Sequence, residues 1–222
     1  MNGRALVAGG SIGGLFAAVL LHTHGWEVDV FERSDVELAG RGAGIVTHAE
    51  LIDILRQCNV STDALGVAVE KRVAYDRDGR AIRAIDMPQV VTSWDRIHSL
   101  LRAAVPEGRY HLGRQATGYS EMENGVTVHF SDGGSATGDL LVGADGFRSS
   151  IRGQMFPEVQ PVYSGYVVWR ALVDEAALPK TLRDEVFRHF GFFLATGNQV
   201  VGYPIAGPGN DLSPGRRRYN FV

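Results

Sequence analysis

The feature that most constrains the fold is a strand–turn–helix–strand pattern in the first 32 residues. Ala5 to Ala8 is a short apolar run typical of a buried parallel strand, and the turn GGSIGG follows at residues 9–14. Residues 15–24 are apolar on most faces and stop before Gly25, which predicts a helix; residues 27–32 (EVDVFE) alternate as a second strand. This pattern predicts a right-handed crossover within a parallel α/β sheet.

The turn departs from the G-x-G-x-x-G fingerprint at one position, because Ser11 stands where the middle glycine is expected. Serine keeps the backbone N–H, so an anion can still be held by N–H groups at the helix N-terminus. Glu32 follows Gly14 by 18 residues, close to the roughly 20 expected for an acidic group that binds a ribose hydroxyl. The pattern therefore favours the adenosine ribose of FAD or NAD, against the simpler alternatives of a plain tight turn and a solvated strand end.

Composition excludes several other classes. The chain has 222 residues and a formal net charge of −3, so nothing indicates a nucleic-acid or membrane partner. The basic run at residues 216–218 is interpreted as a solvated strand edge or turn. Cys58 is the single cysteine, which excludes an intrachain disulfide. With no signal peptide and no long apolar run, we expect a cytoplasmic protein, and we expect no metal site.

Further along the chain the pattern predicts more helices and strands. Helices are expected at about 48–58, at 95–105 and from 149, with hairpins near 67–86 and 115–131. A short apolar strand at 139–142 leads into GADG. After Pro157 the character changes, and antiparallel strands are predicted at 163–173, 192–196, 199–203 and from 219.

Three stretches carry a family resemblance: Glu32-Arg33, the glycine loop AGRGAGI at 39–45, and LLVGADGFRSSIR at 140–152. With them, the chain resembles the flavin-dependent aromatic hydroxylases, the group of para-hydroxybenzoate hydroxylase, over essentially its whole length. The likeness is greatest to dihydroxypyridine hydroxylase and similar members, through VAGGSIGGL, GAGIV, YSGYVVWRAL and VGYPIAG.

The resemblance implies an α/β fold in two domains. A Rossmann-like FAD-binding domain, with a βαβ unit, a parallel sheet and β-hairpins, would occupy residues 1–157, with a strand excursion at 67–90. Part of an antiparallel-sheet substrate domain would follow at 158–222.

The resemblance also assigns cofactor-binding residues. The FAD pyrophosphate would be wrapped by Gly9, Ser11, Ile12, Gly13 and Gly14. Glu32 would bind the adenosine ribose, Arg33 would flank the adenine, and the backbone of Ala116 would touch it. The backbone from Gly44 to Val46 would run near the isoalloxazine or ribityl chain. Asp145 and Gly146 form the DG motif associated with FAD and reduced nicotinamide. The alternative role for Asp145 is a helix N-cap, and the two roles are compatible.

The implied reaction is monooxygenation. NADH or NADPH would reduce the flavin, and molecular oxygen would form a flavin hydroperoxide that hydroxylates a small aromatic or N-heterocyclic ring. His48, Gln199, Tyr203 and Tyr219 are the candidate substrate residues, with ordinary core or surface packing as the alternative for each. No catalytic base is assigned, and the sequence is compatible with a homodimer.

Three other interpretations stay open. A nicotinamide-only dehydrogenase predicts a parallel sheet that continues after residue 34. An FAD-dependent oxidoreductase of the same fold would not hydroxylate. A truncated, catalytically incomplete binding module is the third, because the family's second Gly-Asp motif is absent here and Trp94 stands where many members have an arginine.

Overall fold

The computed structural model describes residues 2–38 and 43–222, so residues 39–42 of the second glycine loop lie outside the described part. The strands are, in chain order, β1 Arg4–Ala8, β2 Glu27–Phe31, β3 Gly44–Val46, β4 Val67–Tyr75, β5 Ala81–Ser93, β6 Tyr110–His111, β7 Ala116–Met122, β8 Gly125–Phe130, β9 Ser135–Gly138, β10 Leu140–Gly143, β11 Ala171–Asp174, β12 His189–Ala195, β13 Asn198–Ile205 and β14 Arg218–Phe221. The helices are α1 Ile12–Thr23, α2 Ala49–Gln57, α3 Trp94–Ala104, α4 Ser150–Met155 and α5 Lys180–Val186, with short 3₁₀ turns at Glu175–Ala177 and Pro208–Asn210.

The chain divides into two compact units. Unit 1 comprises Met1–Gly40, Ile54–Ser61 and His98–Gly165. Its main sheet has the strand order β10-β1-β2-β6, and all three pairings are parallel. The predicted βαβ unit is confirmed, and Ala5 to Ala8 are fully buried, as an apolar central strand requires.

A three-stranded antiparallel sheet, β7-β8-β9, completes unit 1. A core cluster joins it to the parallel sheet: Leu6 and Phe31 pack with Val128, Phe130 and Ile151. This packing fixes the hairpin sheet beside the parallel sheet within the same unit.

Unit 2 comprises Arg41–Asp53, Thr62–Ile97 and Tyr166–Val222. It is built on a seven-stranded mixed sheet with the order β11-β14-β13-β12-β4-β5-β3. Most neighbours are antiparallel, but β12 pairs with β4 in parallel, which joins the C-terminal strands to the long β4–β5 hairpin.

The structure differs from the sequence-based predictions at two points, one in the division into domains and one in a strand. The division at residue 157 treated 67–90 as an excursion of the first domain, whereas the parallel pairing of β4 with β12 groups it with unit 2. The strand expected at 163–173 was wrong over most of its length. Residues 162–170 are exposed and outside any strand, because only Ala171–Asp174 pairs with β14.

Candidate functional site

The turn after β1 is shaped by its own backbone at two glycines. Gly9 has a φ of +110°, and a Cβ there would lie 2.2 Å from the carbonyl oxygen of Ala144. A Cβ on Gly14 would lie 1.8 Å from the carbonyl oxygen of Gly9. Any side chain at either position would collide with main chain, so the fold itself requires both glycines.

The outer side of the same turn is open. A Cβ on Gly13 would meet no atom within 4 Å, and Ser11 makes no side-chain capping bond to α1. The first hydrogen bond at the start of α1 runs from the Leu15 N–H to the Ser11 carbonyl, at 2.9 Å. Among the described residues, the N–H groups of Ile12, Gly13 and Gly14 have no acceptor. Free N–H groups at the positive end of a helix, with no side chain in the way, suit an anion.

Glu32 stands directly after β2 and is 6% exposed. One carboxylate oxygen accepts a hydrogen bond from the Gly10 N–H at 2.8 Å, and the other accepts from the Ser34 N–H at 2.9 Å. The carboxylate therefore anchors the glycine turn, and each oxygen retains a lone pair for a ligand hydroxyl. The neighbouring Arg33 is exposed.

Two residues that hold the turn were missed from the sequence. The Tyr110 hydroxyl donates to the Gly10 carbonyl at 3.0 Å, and Nε2 of His98 lies 3.3 Å from the same oxygen. Burial, together with the nearby Glu32 carboxylate, raises the pKa of Tyr110, so its phenol stays a neutral donor. Both partners come from about 90 to 100 residues away in sequence, so no local pattern could have revealed them.

The GADG turn follows β10 and lies beside the first turn. The Ala144 N–H donates to the Ala8 carbonyl at 2.7 Å, which brings the ends of β10 and β1 together. Asp145 accepts hydrogen bonds from the Ser149 hydroxyl, from the Ser150 N–H at 2.7 Å and from the Ile151 N–H at 3.3 Å. It therefore caps helix α4, which is the simpler of its two interpretations. Gly146 has a φ of +87°, as a turn at this position needs.

Ala116 begins β7, and its side chain is buried in the core cluster of unit 1. Only its main chain is therefore available to a ligand. Such contact through main-chain atoms is what the resemblance implied for this position.

The turns after β1 and β10 and the acidic residue after β2 meet at one edge of the parallel sheet. β1 has β2 on one side and β10 on the other, so the strand order reverses there. Ligands of open α/β sheets bind outside the carboxyl ends of the strands at such a point. Of the candidate residues in unit 1, the structure gathers Gly9 to Gly14, Glu32 and Asp145 at this crevice.

Unit 2 holds Gly44 and Val46, on β3. The Gly44 N–H donates to the side-chain oxygen of Asn220 at 3.3 Å, and a Cβ on Gly44 would lie 2.2 Å from the Tyr203 ring. The Tyr203 ring is buried and stacks on Phe190 with centroids 4.7 Å apart. The Tyr203 ring of β13 and the Asn220 amide of β14 thus both contact the start of β3.

The sheet register separates the predicted substrate residues onto two faces. Tyr203 pairs with Asn220 and Gln199 with Leu194, and Gln199 and Tyr203 share a face because they are four residues apart on β13. We call this the Tyr203 face; Val69, Phe190 and Ile205 pack on it. Tyr219 pairs with Pro204 and so points to the opposite side, the Tyr219 face. Of the candidate substrate residues, Gln199 and Tyr219 therefore lie on opposite faces of the sheet and do not line one site together.

His48 lies before α2, and its side chain is exposed. Its Nδ1 lies 2.9 Å from Glu50 and accepts from the Leu51 N–H at 3.3 Å. These contacts place His48 as a cap of the helix.

The Tyr203 face also carries polar groups that the sequence did not single out. Arg72 lies 5.6 Å from the Phe190 ring centroid and donates to Gln89 at 3.2 Å. Nε of Arg72, Nε2 of Gln89 and Nδ2 of Asn220 are buried without a hydrogen-bond partner among the described residues. Buried donors without acceptors are uncommon in folded proteins, so these three atoms distinguish the Tyr203 face from an ordinary apolar core.

The chain belongs to the family described as "FAD binding domain", whose model matches residues 3–190. A second model, described as "FAD binding domain-like", matches residues 163–222. The site at the crevice of unit 1 fits this family, since the glycine turn, the helix N-terminus and the acidic strand end are the parts that hold a dinucleotide.

Two relatives with named activities are similar to nearly the whole chain. The 2,6-dihydroxypyridine 3-monooxygenase of Paenarthrobacter nicotinovorans is 34% identical over 98% of this chain and 54% of its own length. The FAD-dependent urate hydroxylase of Klebsiella pneumoniae is 33% identical over 91% of this chain and 55% of its own length. The first of these relatives is named a monooxygenase and the second an FAD-dependent hydroxylase, which is the class of activity that the sequence indicated.

Solved structures agree with the fold. That of 2,6-dihydroxypyridine-3-hydroxylase from Arthrobacter nicotinovorans has a TM-score of 0.90 and 32% identity, covering all of this chain and 56% of that one. Klebsiella pneumoniae HpxO complexed with FAD and uric acid has a TM-score of 0.78 and 28% identity, covering 98% of this chain and 55% of that one. The chain spans about half the length of the relatives it matches. No helix within residues 2–38 and 43–222 is long and apolar enough to cross a membrane.

Proposed function

We propose that this chain binds FAD and takes part in the NADH- or NADPH-dependent hydroxylation of a small aromatic or N-heteroaromatic ring by molecular oxygen. The proposal combines the crevice of unit 1 with the named activities of relatives that match nearly the whole chain. These relatives act on a dihydroxypyridine and on urate, both electron-rich heterocycles.

The observation that carries the proposal is the contrast between Gly13 and two other glycines of the turn, Gly9 and Gly14. Packing explains Gly9 and Gly14, because a Cβ at either would collide with main chain. Packing does not explain Gly13, whose surroundings are open and whose φ is not positive. A glycine costs a helix about 0.5–1 kcal/mol relative to alanine. Close approach of a pyrophosphate to the helix N-terminus accounts for its presence.

The chain's own residues have separate tasks in this proposal. The N–H groups of Ile12, Gly13 and Gly14 would bind the pyrophosphate, and Glu32 would accept the ribose hydroxyls while it anchors Gly10. Tyr110 would keep the Gly10 peptide in place. FAD supplies the redox chemistry, passing electrons from the nicotinamide to oxygen.

The Tyr203 face is the proposed substrate side of unit 2. Gln199 offers an exposed amide there, and Tyr203 packs against the Gly44 backbone that would run beside the flavin. Gln199 would orient the ring by hydrogen bonding, and Tyr203 would fix the β3 backbone. Asp145 would combine its cap role with contact to the cofactor.

A turnover experiment tests the proposal. The chain is reconstituted with FAD and given NADH or NADPH with 2,6-dihydroxypyridine or urate, and nicotinamide oxidation, oxygen uptake and hydroxylated product are measured together. We expect the three quantities to match one another for a substrate of the right class. Nicotinamide oxidation without hydroxylated product would favour the non-hydroxylating oxidoreductase. Retention of no flavin at all would favour the binding module.

A further inference from the structure

The Tyr219 face of unit 2 carries a groove of about 380 Å³ beside helix α5. Its floor is formed where Gly191 of β12 and Gly202 of β13 pair directly across the sheet. The Tyr219 ring covers this glycine pair, since a Cβ on Gly202 would lie 2.6 Å from its ring and hydroxyl. The walls are largely apolar, and they include Phe193, Phe221, Leu182 and Val186. A volume of this size holds a monocyclic aromatic molecule.

The side chains that line the groove include few polar groups. The Tyr75 hydroxyl donates to a carboxylate oxygen of Glu185 at 3.2 Å. Burial, with the charge of Glu185, raises the pKa of Tyr75 to about 12, so this phenol stays protonated. The Tyr219 hydroxyl lines the groove and has no hydrogen-bond partner among the described residues. It is free to accept or donate to a ligand.

Charge decides the kind of ligand. Among the described residues that line the groove, Glu185 is the only one with a charged side chain. A carboxylate beside aromatic rings attracts a cation, both directly and through the ring faces. It would repel an aromatic acid of the same size.

We propose that this groove is a binding site for a small aromatic amine. The ring would lie against Tyr219 and Phe193, and the ammonium group would donate to Glu185, with the Tyr219 hydroxyl as a second partner. The site lies on the opposite face of the sheet from Gln199 and Tyr203. The amine site uses none of the residues proposed to bind FAD, so it can be tested independently of the proposed function.

A pair of probes of opposite charge tests the proposal. Isothermal titration of the full chain, without added flavin, compares 2-phenylethylamine with phenylacetate, which share the ring and the chain length. We expect saturable binding of the amine and at least tenfold weaker binding of the acid. Equal affinities for the two, or no saturable binding of the amine, would overturn the proposal.

Two variants locate the binding. Glu185→Gln should weaken the binding of the amine about threefold to fivefold, as expected for loss of an exposed ion pair. Asp184→Asn is the matched control, because Asp184 is the adjacent residue on the same helix, lies outside the groove and pairs with Lys180. It should change the affinity less than twofold. An unchanged affinity in Glu185→Gln, or an equal loss in both variants, would contradict a site at this groove.

Discussion

Asp29 lies on β2 with its side chain 2% exposed, surrounded by partners from the neighbouring chain segments. Arg4 of β1 lies 2.7 Å from one carboxylate oxygen, and His111 of β6 lies 2.8 Å from the other. Arg109 adds a third contact at 3.3 Å. Burial alone would raise the pKa of Asp29, but the hydrogen bonds from His111 and Arg4 outweigh burial and hold the pKa below its ordinary 3.8.

We predict that Asp29→Asn destabilises the chain by about 2 kcal/mol, because it removes a buried charge from hydrogen bonds to three partly exposed basic side chains. Chemical denaturation measures the change. Asp132→Asn is the control: Asp132 pairs with Arg114 at the surface, where an ion pair contributes about 0–1 kcal/mol. A cost for Asp29→Asn no larger than that of the control would contradict this account.

The Asp29 carboxylate also makes the stability of the chain depend on pH. Because the folded-state pKa is lowered, the stabilisation is present above about pH 4 and is lost as the pH falls through the folded pKa. The wild-type chain should therefore lose more stability than Asp29→Asn as the pH falls below 4.

Sequence reasoning reached some single residues and not others. Glu32 was found because its spacing from the glycine turn is local and fixed by the βαβ unit. Asn220 was not, because its partner Gly44 lies 176 residues away. The alternating pattern of β2 does not single out Asp29, because its partners come from two distant segments, at residue 4 and at residues 109–111.

At the scale of elements, helix α4 depends on two side chains before its first turn. The Ser149 hydroxyl accepts from the Arg152 N–H at 2.9 Å, and Asp145 accepts from the Ser150 N–H at 2.7 Å. Six residues make too short a helix to persist without such caps. Asp145 is also the residue that the family resemblance ties to the cofactor.

Variants of the two capping residues distinguish a role in helix stability from a role in FAD binding. We predict that Ser149→Ala and Asp145→Ala each lower the free energy of unfolding by about 1 kcal/mol, as lost N-caps do. Only Asp145→Ala should also weaken FAD, by fivefold or more in a fluorescence titration. If the two variants retain the same FAD affinity, Asp145 is a helix cap and nothing more.

Strand faces show where local patterns fail. Val69 lies on the Tyr203 face, while Val73 pairs with Gly191 of the Tyr219 face, although the two valines are four residues apart on β4. The β4–β5 register is irregular between Val69 and Lys71. Simple alternation along a strand does not predict such an irregularity. The face of Tyr219 likewise depends on its pairing with Pro204, which no local pattern reveals.

At the scale of the whole molecule, each unit is assembled from three separate segments of the chain. The sequence-based prediction places a single domain boundary near residue 157. A single boundary cannot describe two units whose segments alternate along the chain. The contact between Arg188 and Glu70, 118 residues apart, belongs to the β12–β4 pairing that draws the segments together. The fold class was predictable because the βαβ unit is continuous in sequence; the grouping of segments depends on non-local strand pairing.

The most direct test of the central claim is a titration of FAD into the wild-type chain and two glycine variants, Gly13→Ala and Gly153→Ala. Both glycines are helical, and a Cβ on either meets no atom within 4 Å, so both variants should be as stable as the wild type or more so. We predict saturable quenching of flavin fluorescence by the wild type and by Gly153→Ala, and at least tenfold weaker binding by Gly13→Ala. Equal binding by all three, or no saturable binding by the wild type, would contradict a flavin site at the turn after β1.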